Sequence, residues 1–370
     1  MTWTKDPERL ETGGAQRAAR TVAVVMPIPG DPDWSIFEEI PEDIPIIVSD
    51  DSDGRLTSPP RANVSYWDYT AQRDYLGAEY DAIPHKSAAC RNFGHVVAYR
   101  EGFDVIVALD YDCKVAPGWL EAHLRSLTHV VEAPALEPER DGGWVNSLNV
   151  EGWYARGYPY EFRNPVDRRV RSTTANGEVV LHMGLWERIV DLNGIDRFPP
   201  HVAPYGPGLY GPEPRVALGN IAVCGMNTSF VRELTPAYFF LPDLWVDDGS
   251  PGGWQLSRHD DIWGGYIAKK LMDRRGHLLS FGGPIVEHTR LTAGEKTAKI
   301  EHYMHLLARD FFPLVDAAAA RVAPRDYDVM FADFAEEFMS EVGRSSAPMH
   351  YVDVYRRLGV AMQRWAAVFS

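Results

Sequence analysis

Cysteine is scarce in this 370-residue chain: Cys90, Cys113 and Cys224 are the only three, none forms a CxxC pair, and one is left over. A disulfide scaffold is thereby excluded, and reduced thiols in a cytoplasmic protein are expected. Cys113 adjoins an acidic pair, but a small buried packing residue is its simpler role. Basic residues are in deficit too. Lys and Arg number 37 against 52 Asp and Glu, a formal net charge of -15. Nucleic acid and anionic membrane both need a basic footprint, so neither is the expected partner. A phosphate ligand would need local cations or a metal. No apolar run approaches the ~20 residues that span a bilayer. The polar, acid-bearing start Met1–Arg9 does not fit a signal peptide's basic opening and apolar middle. No glycine-rich loop of the dinucleotide or Walker type follows any apolar strand, so NAD, FAD and P-loop ATPase readings fall away.

What is present is apolar mass, enough for one large α/β domain or two smaller ones. The stretch that organises the rest is Asp104-Val-Ile-Val-Ala-Leu-Asp110-Tyr-Asp112-Cys113. Its apolar, mostly β-branched run reads as a strand buried on both faces, and it stops at two carboxylates one residue apart. In open α/β sheets ligands collect beyond the carboxyl ends of the strands, so Asp110 and Asp112 stand where a metal-bound phosphate would be held. The pair alone is weak. Asp-x-Asp recurs at Asp31/Asp33, Asp51/Asp53 and Asp326/Asp328, and a polar turn explains it as well. Position separates it: a helical segment leads in, the strand is fully apolar, and the acids fall at its end.

Residues 1 to 20 read as a loose tail. Thr21-Val-Ala-Val-Val-Met-Pro27-Ile28 and Ile44-Pro-Ile-Ile-Val-Ser-Asp50-Asp51 are two further strands. Pro27 and Ile28 end the first and are candidate nucleotide contacts. After the second, Asp50 or Asp51 suits the carboxylate that accepts hydrogen bonds from a ribose or base, with an Asx-turn as the plainer alternative. The segment from His85 to Arg100 carries apolar residues at helical spacing. Lys86 and Arg91 in its first turns would oppose the helix dipole, which hints at an anion there. From Trp144 to about Val190 short strands and turns are expected, rich in aromatics and arginine around Arg156 and Arg163, a composition that suits sugar and phosphate. Residues 198 to 214 and 248 to 254 are Pro/Gly-rich connectors or lids. Val216 to Phe230 reads as a strand turning back on itself. Ser257 precedes Asp260 by three residues in a capping-box-like arrangement, and Asp260 and Asp261 open a helix. The strand from His277 runs on to Val286-Glu-His288. The last eighty or so residues are helical, and the stripe Tyr351, Tyr355, Leu358, Met362, Trp365, Phe369 docks a final helix on the domain or, less simply, forms a homo-oligomer seam.

Several colinear segments together resemble one known family. They are Ile46–Asp50, Lys86-Ser-Ala-Ala-Cys-Arg91-x-Phe-Gly, Leu109–Cys113, Glu151-Gly-Trp-Tyr-Ala-Arg156-Gly-Tyr-Pro-Tyr, Cys224-Gly-Met-Asn227, Asp260-Asp-Ile-Trp-x-Gly265 and His288. They resemble the reversibly glycosylated polypeptides, the UDP-arabinopyranose mutases of plants and their bacterial relatives. The likeness runs from about residue 21 to 315; the tail beyond Pro313 lies outside it. The resemblance implies a GT-A-like nucleotide-binding mixed sheet flanked by helices over 21–315; a helical C-terminal extension over 316–370 is expected from its own apolar stripes. It implies a site for Mn2+ or Mg2+ at Asp110 and Asp112, with His288 as a further ligand. It implies that Arg156 matches the reversibly glycosylated arginine and Arg163 a second one needed nearby. Tyr111 stands where an acid is usual in the family, and Ala89 and Asn92 also depart from its pattern.

The expected activity is a flavin-independent nucleotide-sugar mutase interconverting pyranose and furanose forms. A metal would stabilise the diphosphate as a leaving group while an oxocarbenium-like sugar develops. Arginine is protonated at ordinary pH, so either a carboxylate such as Glu151, Asp260 or Asp261 takes its proton or Arg156 acts as an electrostatic clamp. The altered central motif tips the expected base slightly towards GDP over UDP. A glycosyltransferase with an external acceptor and a non-catalytic nucleotide-sugar-binding protein are the alternatives.

Overall fold

Val22–Ile28 (β1) is apolar throughout and completely buried, as a strand inside a helix-covered sheet must be. The computed structural model describes residues 20–30, 32–52, 54–56, 61–197, 213–246, 253–289 and 294–370. Following β1 come Ile46–Asp50 (β2), Val64–Trp67 (β3), the helices Tyr69–Leu76 (α1) and Arg91–Arg100 (α2), and Val105–Leu109 (β4). These four strands are parallel. β2 and β3 extend to one side of β1 and β4 to the other. The winding direction therefore reverses at β1, and a topological switch point opens a crevice beyond the carboxyl ends of β1 and β4.

Past β4 the sheet becomes mixed. The chain continues through Cys113–Lys114 (β5), the helix Trp119–Ser126 (α3), His129–Pro138 (β6), Trp144–Val145 (β7), Val170–Glu187 (β8), Arg215–Ala217 (β9), Asn220–Ile221 (β10), Asn227–Val231 (β11), Leu244–Val246 (β12) and Trp254–Leu256 (β13), with β7 and β10, and β12 and β13, pairing as two small sheets of their own. Then follow Asp260–Arg275 (α4), Leu278–His288 (β14), Gly294–Arg321 (α5), Tyr327–Arg344 (α6) and Met349–Ala367 (α7). Ten strands form the main sheet in the order β3-β2-β1-β4-β11-β8-β6-β9-β14-β5, and β8 also pairs with β14. β11 runs antiparallel to β4 with Asn227 opposite Leu109, so the chain re-enters the sheet beside the acidic end of the central strand. The class is the one expected, a mixed α/β sheet flanked by helices.

Four local expectations need correction. The helix does not begin near Lys86 but at Arg91, after a 3-10 turn over Ala88–Cys90. Lys86 instead turns with φ 57°, its N–H held by the Asp51 carboxylate at 2.7 Å, and this local bond competes with helix winding. Between Trp144 and Val190 there is one 18-residue strand, β8, rather than short strands only, because β6, β11 and β14 each pair along part of it. The stretch from Val216 to Phe230 divides into β9, β10 and β11. Ser257 is not a cap either: His259 takes the N-cap position, and the Ser257 hydroxyl donates to Asp243 at 2.8 Å. Most of the expected tail and loops, residues 1–19, 198–212 and 247–252, lie outside the described residues.

The C-terminal helices are built into the core. α5 crosses residue 315 without a break, and the rings of Trp263 and Phe311 stack at 4.0 Å between α4 and α5. α7 docks on the domain through its apolar stripe. Trp365 stacks on Phe239 at 5.0 Å and donates its indole N–H to the Pro236 carbonyl. Among the described residues no helix is long and apolar enough to cross a membrane.

Candidate active site

Two adjoining spaces open beyond β1 and β4. The larger, about 730 Å3, is lined by Pro27, Asp51, Lys86, Arg91, Asp110 and Tyr111 among others. Asp51 faces it; Asp50 does not. The Asp50 carboxylate is buried behind, taking the Ser52 N–H at 2.7 Å and the Tyr66 hydroxyl. Ile28 is fully buried and contributes its carbonyl, which accepts the Asp51 N–H at 2.9 Å and fixes the turn. Burial raises the pKa of Asp51, although the Lys86 N–H and the Tyr69 hydroxyl, at 2.7 and 2.9 Å, oppose the shift. Of the strand-end candidates, Pro27, Asp51, Lys86, Arg91 and Asp110 thus share one wall.

The smaller space, about 160 Å3, shares Ala88, Arg91 and Asp110 with the larger one and so lies next to it. Six carboxylates line it, Asp110, Asp112, Asp191, Asp243, Asp260 and Asp261, against four guanidinium groups and one imidazole. With the imidazole neutral, six minus four leaves an excess of two negative charges in a small volume. Such an excess is relieved by protons on the least-paired acids or by a cation.

Arg156 stands at its centre and is buried. All five of its N–H groups have acceptors. Nε–H goes to Asp191 (2.6 Å), the Nη1 hydrogens to Asp261 (3.0 Å) and the Arg258 carbonyl (2.7 Å), and the Nη2 hydrogens to Asp261 (2.5 Å) and Cys224 Sγ (3.7 Å). Burial works against its charge, but Asp191 and Asp261 outweigh burial and raise its pKa further. The converse holds for the partners. Arg156 draws Asp261 below the usual carboxylate range, and Arg156, Arg258 and Arg197 together do the same for Asp191. Asp260, next in sequence, is pushed the other way, up to about 7, by burial, by the Asp261 charge and by Asp243. One turn of α4 therefore presents a fixed anion and a titrating acid side by side.

Arg91 is the second buried cation. It donates to Asp110 at 2.7 Å, to the Gly225 carbonyl at 2.8 Å and to the Ala88 carbonyl at 2.9 Å, so its charge is internally matched. Gly225 in turn gives its N–H to Asp261 at 3.0 Å. A Cβ there would stand 2.4 Å from the Phe240 ring, which explains glycine in Cys224-Gly-Met-Asn227. Asn227 closes that motif. Its Oδ1 accepts from Trp119 and His123, and its Nδ2 donates to the Leu185 and Pro284 carbonyls, fastening β11 to α3, β8 and β14.

Of the three residues expected to bind metal, the structure brings two face to face. His288 Nε2 lies 3.8 Å from Asp112 Oδ2, while Asp110 turns Oδ1 to Arg91. His288 Nδ1–H donates to the Ile189 carbonyl at 2.9 Å, which leaves Nε2 as the free nitrogen of the neutral ring. Burial alone would lower the pKa of His288; the Asp112 carboxylate overrides it and the shift is upward. Among the described residues no three His, Cys, Asp or Glu side chains are grouped to hold a metal by themselves.

Arg163 is not brought to either space. It forms a two-pronged pair with Asp196 at 3.0 and 2.9 Å and lies over the Tyr160 ring at 3.9 Å, bracing the loop that carries Arg156. Glu151 is exposed and paired with Arg168, away from the chamber lining. Sequence reasoning missed Asp191, Asp243, Arg197 and Arg258. Each is a single charge in an unremarkable local setting, and only the folded chain shows that they converge.

The profile of the family described as "Reversibly glycosylated polypeptide" matches residues 35–370. The expectation that the likeness stops near Pro313 is thereby corrected: it continues through the last helix. The probable UDP-arabinopyranose mutase 1 of Pisum sativum is 26% identical over 311 residues, covering 80% of this chain and 74% of the pea protein. UDP-arabinopyranose mutase 3 of Arabidopsis thaliana is 30% identical over 237 residues, covering 58% of this chain and 54% of that one. A solved glucosyl-3-phosphoglycerate synthase of Mycobacterium tuberculosis, in complex with Mn2+, UDP and phosphoglyceric acid, is similar over 79% of each chain at 12% identity with a TM-score of 0.40. With a profile match over nearly the whole length, the chain belongs to the reversibly glycosylated polypeptide family.

Proposed function

We propose that the protein is a flavin-independent nucleotide-sugar mutase that interconverts pyranose and furanose forms. The observation that carries this reading is the adjoining pair of spaces. A cavity of about 730 Å3 has the size range of a nucleotide site and shares Ala88, Arg91 and Asp110 with a neighbouring chamber of about 160 Å3 crowded with carboxylates and buried arginine. The nucleoside occupies the first, with Asp51 as the directional acceptor. The diphosphate crosses the shared wall at Arg91 and Asp110, and the sugar enters the second.

Asp112 and His288 would hold the metal ion, and a carboxylate oxygen beside an imidazole nitrogen suits Mn2+ better than Mg2+, which prefers oxygen alone. Such an ion would supply charge stabilisation to the departing diphosphate. Arg156 then serves as a positioning cation. With all five N–H groups donated and two carboxylates attached, it holds Asp261 charged beside Asp260 and orients the chamber floor. The relatives named above are UDP-arabinopyranose mutases, so a UDP-sugar is the first substrate to test. GDP-hexose, favoured by the altered central motif, comes second. Purified protein with each nucleotide sugar and a divalent metal, without flavin, is expected to give an isomeric nucleotide sugar resolved by anion-exchange chromatography and NMR. Unchanged substrate in every case overturns the reading.

A further inference from the structure

A ring exchange moves a proton as well as a carbon–oxygen bond. Whatever holds C1 in between, the bond from C1 to the old ring oxygen breaks and a bond from C1 to another hydroxyl oxygen forms. One proton passes from the second oxygen to the first, and nothing is oxidised or reduced. Resting on the mutase reading above, we propose that Asp243 and Asp260 carry this proton, Asp243 as the base that takes it from the closing hydroxyl and Asp260 as the acid that protonates the departing ring oxygen. Transfer from Asp243 to Asp260 within the chamber then restores both groups.

The assignment comes from sorting the six chamber carboxylates by what faces them. Asp110 is paired with Arg91, Asp112 faces His288, Asp191 meets Arg156, Arg197 and Arg258, and Asp261 is gripped by Arg156. Among the described residues, Asp243 and Asp260 are the two lining acids with neither an arginine nor a histidine side-chain nitrogen within 4 Å. Each is poised differently. Asp243, just ahead of β12, accepts from the neutral donors Ser257 Oγ at 2.8 Å and Gln255 Nε2 at 3.3 Å. Asp260, in the first turn of α4, faces Asp261 on its own helix, Asp243 across the chamber, Arg91 from α2 and Arg156 from the 153–158 loop. Burial raises Asp243 to about 6, and burial with two neighbouring anions raises Asp260 to about 7. Between those values the first is mostly ionised and the second mostly protonated, as base and acid must be.

The test compares wild type, D243N and D260N with UDP-arabinopyranose and Mn2+ from pH 5 to 9, alongside calorimetric titration with UDP and melting temperatures. The wild type is expected to show a bell-shaped kcat profile with its maximum between about pH 6 and 7. D243N is expected to lose about 10²- to 10⁴-fold in kcat and the limb that rises through pH 6, with UDP affinity within threefold. D260N is expected to lose the falling limb instead. D243E, should D243N melt early, is expected to recover part of kcat with a displaced rising limb. Conversion by D243N within fivefold of wild type and with an unchanged profile overturns this assignment alone. No conversion by the wild type overturns the mutase reading and the assignment with it.

Discussion

At the scale of single residues, the buried Arg156 cluster decides both stability and chemistry. A buried ion pair contributes little net stability when whole, but removing one member strands the other charge in a low-dielectric site at about 3–5 kcal/mol. Asp261→Ala leaves Arg156 with Asp191 as its one carboxylate and removes a two-pronged contact, so a loss at the lower end of that range, about 3 kcal/mol, is expected in urea unfolding; a midpoint within error of wild type would contradict the pairing. Asp260 has the opposite sign. Its folded-state pKa, near 7, lies above that of an unfolded aspartate, so its contribution is unchanged below about pH 4, is lost progressively as pH rises from about 4 to about 7, and stays lost above that. Asp260→Asn is therefore expected to raise stability by about 4 kcal/mol at pH 8 and by nothing at pH 4, checked by melting at both. Equal shifts at the two pH values would show that Asp260 is an ordinary carboxylate. At Asp112 the expectation concerns metal: Asp112→Ala should weaken the Mn2+-dependent part of UDP binding at least tenfold by calorimetry, whereas a retained metal response would place the ion elsewhere. Asp110, Asp112, Arg156, Asp260 and Asp261 were legible because each sits in a motif or at a strand or helix end. Asp191 and Asp243 were not, since a lone acid in a loop leaves no periodic or spacing signal.

Among the elements, α4 shows how close packing positions the acids. It carries two adjacent glycines, which lower helix propensity by about 1 kcal/mol each relative to alanine. The structure explains the cost. A Cβ on Gly264 would stand 2.1 Å from the Phe239 carbonyl oxygen, and one on Gly265 would stand 2.4 Å from Val223 Cβ. Gly264→Ala is accordingly expected to destabilise by about 1–3 kcal/mol despite the better propensity, because backbone rather than a flexible side chain must give way. A stabilised variant in thermal melts would mean that α4 does not approach Phe239 so closely. The helix itself was readable from Ser257 onwards, but its cap was not, since the Ser257 hydroxyl is drawn off to Asp243. The late start of α2 escaped notice for a similar reason: Asp51, 35 residues earlier in the chain, holds the Lys86 N–H, and sequence spacing carries no trace of it. The strands β1, β2 and β4 were plain because apolar runs without alternation mark a sheet covered on both faces.

For the molecule as a whole, the C-terminal helices belong to the core. The rings of Phe331 and Trp365 both pack on Phe239, which precedes the loop reaching Asp243, so α6 and α7 support the chamber from behind. Deleting residues 322–370 would remove α6 and α7 and uncover the apolar surface they cover, Phe239 included. The expected outcome is aggregation or loss of the cooperative melt, and a truncated chain with wild-type melting would contradict it. The apolar stripes made the helices themselves legible, whereas their dependence on Phe239 and Trp263 follows from tertiary packing that periodicity cannot encode. Sheet order was likewise out of reach beyond the first parallel strands, because β8 pairs with three strands at once.

The account rests on the nucleotide lying across the β1–β4 switch point with its sugar among the chamber acids. A crystal structure of the protein with a UDP-sugar and Mn2+ tests that most directly. The account predicts the ribose beside Asp51, the metal and diphosphate between Asp112, His288 and the Arg91 wall, and the sugar within reach of Asp243 and Asp260. A nucleotide bound on any other face, or a sugar directed away from the small chamber, would contradict it.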